Sequence, residues 1–332
     1  VAKQNRFFFK RFSVYSFYMA GKRGLVLKLG FACNNNCLVC SQAGNKGIRE
    51  MNLKEIEKYL EQGIESGAGS LVLTGGEPTI RHDLVEIVGL AKRLGYEEIT
   101  LQTNGRMLCY KDYCERLVKA GVTRTMIGFH GARAETHDYI SQSMGAFDQA
   151  VEGIKNIIGL GGPVTVNYVI NKINYKETPK AAQFFIGLGV CKLLLSFVSC
   201  DGNVLRNADK IYPTMSEVKP YMHKSLNIAI TSSLTVRVCA YPFCFLSGYE
   251  KYCEELYAPV RDVRDVQNVE TDFDDKSRAF SRRKGLLCKE CRFEPVCGGP
   301  EIEYTNRFGW VEFKPVKGEK VGSREEIVKG KF

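Results

Sequence analysis

The sequence predicts an α/β protein: a parallel sheet curled into a partial (β/α)6 TIM-like barrel, followed by a smaller Cys-rich C-terminal α+β module. Three observations predict it. From about Gly24 to Val198, short β-branched runs alternate with amphipathic stretches at a period of roughly 30 residues, the length of a βα unit. Beyond Asp201 that alternation stops. The 13 cysteines crowd near the start of the chain and in its last third. Right-handed crossovers then make successive strands neighbours and gather the functional loops at their carboxyl ends.

Six strands are expected, at Leu25–Phe31, Ser70–Thr74, Glu98–Thr103, Thr123–Phe129, Val164–Ile170 and Cys191–Phe197. Between them, Leu53–Ser66 places Leu53, Ile56, Leu60 and Ile64 on one helical face, and Leu84–Leu94 has similar spacing. A further helix is expected over Met215–Ile230, then a Cys-, Gly- and Pro-punctuated region to about Pro315, where metal ligands do part of the work of a core. The chain thus divides into a basic, aromatic arm (residues 1–24), the partial barrel (25–200), the Cys-rich module (201–315) and a charged, exposed tail (316–332).

Lys10 and Arg11 interrupt any apolar run in the arm, so it does not read as a secretory signal, and no segment approaches the roughly 20 apolar residues of a membrane span. Forty-seven Lys and Arg against 37 Asp and Glu leave a surplus of 10, which reads as a solvated basic surface or as favouring an acidic partner such as a small electron carrier or a polyanion; no clear nucleic-acid signature accompanies it. So many thiols fit a reducing cytoplasm.

After the first strand comes Cys33-x3-Cys37-x2-Cys40 on a polar loop. Three thiolates can hold a cubane cluster while leaving one iron open, and an open position is what catalysis at a metal requires. The second strand runs into Thr74-Gly75-Gly76-Glu77-Pro78, where glycines admit a close backbone approach and a carboxylate can accept from an ammonium group. Thr103 and Asn104 end the third strand, and His130 ends the fourth, where it faces either the pocket or a turn. Asn167 is a polar residue inside the apolar fifth strand and points to the barrel pocket or to a buried partner. In the C-terminal module, Cys239-x4-Cys244-x8-Cys253 precedes Cys288-x2-Cys291-x5-Cys297. Those six soft ligands exceed what structural thiols need, although C-x2-C is also zinc spacing. Cys109, Cys114, Cys191 and Cys200 read as small buried hydrophobes.

The Cys33/Cys37/Cys40 triplet at a strand's carboxyl end, in register with the Gly-Gly-Glu-Pro turn, resembles the radical S-adenosylmethionine (SAM) superfamily. The resemblance implies that Cys33, Cys37 and Cys40 ligate a catalytic [4Fe–4S] cluster that chelates SAM. It implies SAM contacts at Gly75, Gly76, Glu77, Pro78, Thr103, Asn104, His130 and Asn167. Gly128 stands where the family often has a Ser, and Arg133 is the candidate substitute for a carboxylate contact. The later cysteines resemble SPASM and twitch extensions. With Glu301 in the place of the last SPASM cysteine, one auxiliary [4Fe–4S] cluster is implied, drawn from Cys239, Cys244, Cys253, Cys288, Cys291 and Cys297. The implied chemistry is reductive cleavage of SAM to a 5′-deoxyadenosyl radical that takes a substrate hydrogen, fed by a flavodoxin- or ferredoxin-like donor. The expected substrate is a peptide or protein, with a small metabolite or cofactor or lipid precursor as the alternative. An iron–sulfur electron carrier or a zinc-binding module is the non-enzyme alternative, and neither needs an open iron beside a Gly-Gly-Glu-Pro turn.

Overall fold

The computed structural model describes residues 23–258, 260–272 and 280–330. The arm expected over residues 1–24 lies outside the described residues except for Arg23 and Gly24, which already belong to the first strand. The strands are β1 (Arg23–Lys28), β2 (Ala68–Thr74), β3 (Glu98–Thr103), β4 (Arg124–Phe129), β5 (Val164–Ile170), β6 (Lys192–Phe197), β7 (Thr235–Cys239), β8 (Arg261–Arg264) and β9 (Val269–Glu270). They form one open sheet in the order β7-β6-β5-β4-β3-β2-β1-β8-β9. Every neighbouring pair is parallel except β8 and β9. The six expected strands are β1 to β6, adjacent in chain order, as right-handed crossovers require.

Period-two alternation gives the sheet its two faces. Leu25 and Leu27 of β1, Leu71 and Leu73 of β2, and Ile99 and Leu101 of β3 are buried under the helices. Val26, Lys28, Val72, Thr74 and Gln102 line the concave side. The covering helices are α1 (Leu53–Glu65), α2 (Leu84–Leu94), α3 (Lys111–Ala120), α4 (Ala134–Ser141), α5 (Ala146–Gly159) and α6 (Thr178–Leu188). Helix α1 starts at a capping box, with the Asn52 side chain accepting from Glu55 N and the Glu55 side chain accepting from Asn52 N, and buries Ile56 and Leu60.

Beyond Asp201 the expected loss of alternation is only partial. Two short helices, α7 (Gly202–Arg206) and α8 (Ala208–Ile211), lead to α9 (Met215–Thr231), which is followed by β7 in parallel beside β6. Strand β8 then joins the opposite edge beside β1. These strands escape a hydrophobic reading because they are short and charged: β7 carries Arg237 and β8 reads Arg-Asp-Val-Arg. The tail is also corrected. Helix α10 (Ile302–Phe308) and helix α11 (Arg324–Lys329) follow the cysteines, and Val321 and Ile327 are buried. Val321 N donates to Arg292 O and Arg292 N to Val316 O, so the tail is tied to the cysteine region by backbone pairing. An aromatic cluster of Phe197, Tyr212, Tyr241, Tyr304 and Phe308 fastens this module to the end of β6. Glu301 adds polar ties there, accepting from Ser199 Oγ at 2.7 Å and from Cys200 N at 3.2 Å.

Candidate functional site

The cysteine loop leaves β1 at the carboxyl edge of the sheet and is held from three sides. The last carbonyls of α4, which have no partner within their own helix, accept from the loop: Leu38 N donates to Ile140 O at 2.8 Å and Asn36 N to Ser141 O at 3.1 Å. Arg106, after β3, donates to Asn34 O at 2.5 Å and to Asn35 Oδ1 at 2.9 Å. On the far side α7 closes over the loop, with Asn203 N donating to Cys40 O at 3.0 Å and Asn203 Nδ2 to Cys37 O at 2.8 Å. Gly202 makes that contact possible: its φ is +51°, and a Cβ there would sit 2.3 Å from Cys40 O. Neither Arg106 nor Asn203 carries a sequence signal, since each acts on a loop distant in the chain.

Burial raises all three loop thiols, and it pushes Cys37 up to about 12, helped by the like charges that Cys33 and Cys40 would carry. Cys40 N donates to Cys37 O at 3.2 Å, so the loop turns tightly between these two thiols. Cys33 Sγ accepts from Asn35 N at 3.3 Å and lies 3.9 Å from Asn104 Nδ2, donors suited to a thiolate. The residues present therefore fit a thiolate-ligated cluster. Among the described residues no three His, Cys, Asp or Glu side chains close on one point as ligands of a lone ion do. A cluster, which offers each thiolate its own iron corner, does not require it.

The Gly-Gly-Glu-Pro turn packs directly on this loop. Gly76 N donates to Gly30 O and Glu77 N to Ala32 O, both at 2.8 Å. A Cβ on Gly75 would lie 2.2 Å from Gly30 O, and one on Gly76 2.2 Å from Ala32 O. The glycines are needed for backbone to approach backbone, a reason distinct from the expected approach to a ligand. Glu77 is 3 % exposed and serves as a buried tie. Its Oε1 accepts from Thr79 N, Thr79 Oγ1 and Thr103 Oγ1 at 3.0, 2.5 and 2.6 Å, and its Oε2 from Asn104 N at 2.6 Å. Burial raises its pKa and these four donors oppose the rise. Pro78 opens the buried turn that follows. Thus Gly75, Gly76, Glu77, Pro78, Thr103 and Asn104 come together beside Cys33.

His130 leaves β4 with its Nδ1 buried and unpartnered, its backbone N donating to His137 Nδ1 at 3.2 Å and its ring stacked on His137. Asn167 shares a 2.7 Å hydrogen bond with Ser196 Oγ on β6, so it has a partner on its own face of the sheet. Arg133, the expected substitute in a carboxylate contact, is held by Glu177 at 3.0 Å and Thr136 at 3.1 Å. On the concave face a cavity of 270 Å³ opens beside Ser41 and Gln42 of the cysteine loop, lined by Lys28, Thr74, Gln102 and Arg261. Lys28 is offset by Asp265 at 3.7 Å.

In the C-terminal module the six candidate thiols separate into two sets. Cys244, Cys288, Cys291 and Cys297 line one mostly apolar cavity of 570 Å³. Burial raises Cys244 strongly, and charges on Cys297, Cys291 and Cys288 would add to the rise. Cys297 Sγ also accepts from Gly299 N at 3.4 Å. Four soft donors around such a space fit a closed [4Fe–4S] site. Cys239 and Cys253 do not line that cavity. Glu255 stands between them, its Oε2 accepting from Cys253 Sγ at 3.0 Å and its Oε1 lying 4.0 Å from Cys239 Sγ. Arg282 neutralises that buried carboxylate at 3.0 Å. Of the cysteines expected to be small hydrophobes, Cys114 and Cys200 are buried while Cys109 and Cys191 are half-buried.

Residues 27–185 match the family described as the Radical SAM superfamily. The probable GTP 3′,8-cyclase of Saccharolobus solfataricus is 37% identical over 202 residues, 60% of this chain and 64% of that protein. That of Sulfurisphaera tokodaii is 32% identical over 173 residues, 52% of this chain and 54% of that protein. The chain therefore spans less than two thirds of the length of these curated relatives. Among solved structures, Streptococcus suis SuiB bound to precursor peptide SuiA superposes with a TM-score of 0.61 at 16% identity, over 83% of this chain and 69% of that one. Native anSMEcpe with bound AdoMet and Cp18Cys peptide gives 0.54 at 14% identity, over 65% and 63%. At these identities the two structures share the fold with this chain. Residues 27–185, which hold the cysteine loop after β1 and the glycine turn packed on it, are thus a radical SAM domain.

Proposed function

We propose that this chain reductively cleaves SAM at a [4Fe–4S] cluster held by Cys33, Cys37 and Cys40 and removes a hydrogen atom from a small-molecule substrate. When bound, the cluster and SAM supply a low-potential electron, sulfonium cleavage and a carbon radical. The protein's part is to hold the loop and shield the site. Arg106, Asn203 and the α4 carbonyls fix the loop, and the Glu77 tie fixes the strand ends facing it. Pre-set geometry of this kind removes orientational freedom before the reaction. The observation that carries the reading is the three-thiol loop packed through Gly30 and Ala32 on the Gly75-Gly76-Glu77 turn.

The substrate reading shifts from the peptide first expected to the alternative. The curated relatives are named for a reaction of GTP, a small metabolite. A 270 Å³ cavity lined by Lys28, Gln102, Thr74 and Arg261 supports a compact polar substrate. We further assign the auxiliary [4Fe–4S] cluster to Cys244, Cys288, Cys291 and Cys297, and the cytoplasm as the compartment, where thiols stay reduced.

Anaerobic reconstitution with iron and sulfide, then dithionite and SAM, tests the proposal. The expected outcome is 5′-deoxyadenosine from the wild type and none from Cys37→Ala, with iron content falling from about eight to about four atoms per chain. Absence of 5′-deoxyadenosine from the iron-loaded wild type would overturn it. A screen of nucleotides and other anionic metabolites for stimulated 5′-deoxyadenosine formation tests the substrate class.

A further inference from the structure

The cavity lined by Cys244, Cys288, Cys291 and Cys297 opens at the surface of the C-terminal module through a patch of apolar side chains. Leu286 is 86 % exposed, Leu287 50 % and Val311 83 %. Leu286 and Leu287 line that cavity together with Trp310, and Val311 follows Trp310 in the chain. The backbone at Gly285 abuts the Trp310 ring so closely that a Cβ there would meet it at 2.6 Å, and Leu286, Leu287 and Trp310 line the same cavity mouth. Large apolar side chains grouped at the surface and rimmed by charge mark an interaction site. The rim here is basic: with Arg282 spent on Glu255, residues 283–294 and 310–320 still carry seven lysines and arginines against four glutamates. Two of those glutamates, Glu290 and Glu294, are already paired with Lys317 and Lys284. A third, Glu312, is turned to Tyr304 and Ser216 N.

We propose that this face is the docking surface for an acidic, low-potential electron-carrier protein, which exchanges single electrons with a cluster held by the four cysteines behind it. The proposal rests on the auxiliary-cluster reading above. An apolar centre with a basic rim matches a partner with an apolar centre and an acidic rim. Cys288 directly follows Leu287, so a protein seated on Leu286 and Leu287 stands next to a residue that lines the cysteine cavity. The surplus of 10 positive charges on the chain steers the same class of partner over longer range.

The test uses full-length, reconstituted Cys37→Ala protein, in which the C-terminal cluster is the one that remains. The cluster is reduced with dithionite, freed of excess reductant, and mixed with oxidised flavodoxin. One electron leaves the [4Fe–4S]+ cluster, which becomes [4Fe–4S]2+, and flavin mononucleotide takes that electron and a solvent proton to become the neutral semiquinone, whose colour is followed by stopped flow. Adding Val311→Asp or Lys289→Glu is expected to slow the second-order rate about tenfold and to weaken calorimetric binding in proportion, and raising the salt is expected to slow the parent protein similarly. Iron content and bleaching by dithionite stay unchanged in both variants. Full iron with rates indifferent to both substitutions and to salt would overturn the docking surface alone, as would a dimer that Val311→Asp dissociates. Lack of iron in the Cys37→Ala protein would overturn the auxiliary-cluster reading and the docking with it.

Discussion

Glu77 shows how one buried side chain can hold a site together. Its carboxylate accepts four hydrogen bonds while 3 % exposed, so it joins the end of β2, the turn after it and the end of β3. Glu77→Gln keeps the shape but turns an amide N–H toward donors, leaving buried groups unpaired at about 1–3 kcal/mol. The expected result is a lower denaturation midpoint together with SAM binding weakened at least about tenfold by equilibrium dialysis; the same SAM affinity at reduced stability would limit Glu77 to a structural tie. Gly76→Ala acts through sterics. Its Cβ would lie 2.2 Å from Ala32 O and 2.5 Å from Phe31 O, so the cysteine loop must move away from β2. Iron content is expected to fall by about half, with the C-terminal share retained, and iron and sulfide assays check it.

At the scale of elements, the cysteine loop depends on helices that meet it only in the folded chain. Asn203→Ala removes the donor to Cys37 O and leaves α7 without its side-chain grip on the loop. Because Asn203 does not touch the thiols in this arrangement, the effect should appear as faster cluster loss under air or chelator, by several-fold, with little change in the freshly reconstituted iron content. Absorbance decay of the charge-transfer band reads it. In α1, Gly63 leaves room for Tyr96: a Cβ there would lie 2.2 Å from Tyr96 Oη, whose hydroxyl donates to Leu60 O at 2.9 Å. Gly63→Ala is therefore expected to destabilise by roughly 1–3 kcal/mol despite its higher helix propensity, because overpacking outweighs the gain of about 1 kcal/mol. Chemical denaturation checks the sign.

The molecule as a whole should weaken in mild acid. His137 is 1 % exposed against Phe129 and Phe147, and burial pushes its pKa down to about 4. His130, stacked on it, is pushed down to about 3 by burial and by the charge His137 would carry. Unfolded histidines titrate near 6.5, so between pH 6.5 and pH 4 the unfolded chain binds more protons than the folded one, and stability falls with pH across that window. For His137 alone the loss is about 2 kcal/mol by pH 5. Denaturant midpoints at pH 7 and pH 5 measure it, and a midpoint that rises in acid would contradict it.

The order of β1 to β6, the loop of Cys33, Cys37 and Cys40, and the Gly-Gly-Glu-Pro turn are legible along the chain because each rests on local regularity: two-residue alternation, 3.6-residue periodicity and fixed spacing between thiols. Strands β7 and β8 are not legible, since they are short and spend their positions on Arg237, Arg261 and Arg264. The division of the six C-terminal cysteines is equally beyond spacing. Cys244 joins Cys288, Cys291 and Cys297 from a turn more than forty residues earlier, while Cys239 and Cys253 close on Glu255 and Arg282. Arg106 and Asn203, which hold the first loop, act across the fold in the same way. What the sequence determined by itself is which residue types and repeats are present. The tertiary structure decided which of them meet, because burial, repulsion between thiols and the pairing of buried charges are set by neighbours in space and not by neighbours in the chain.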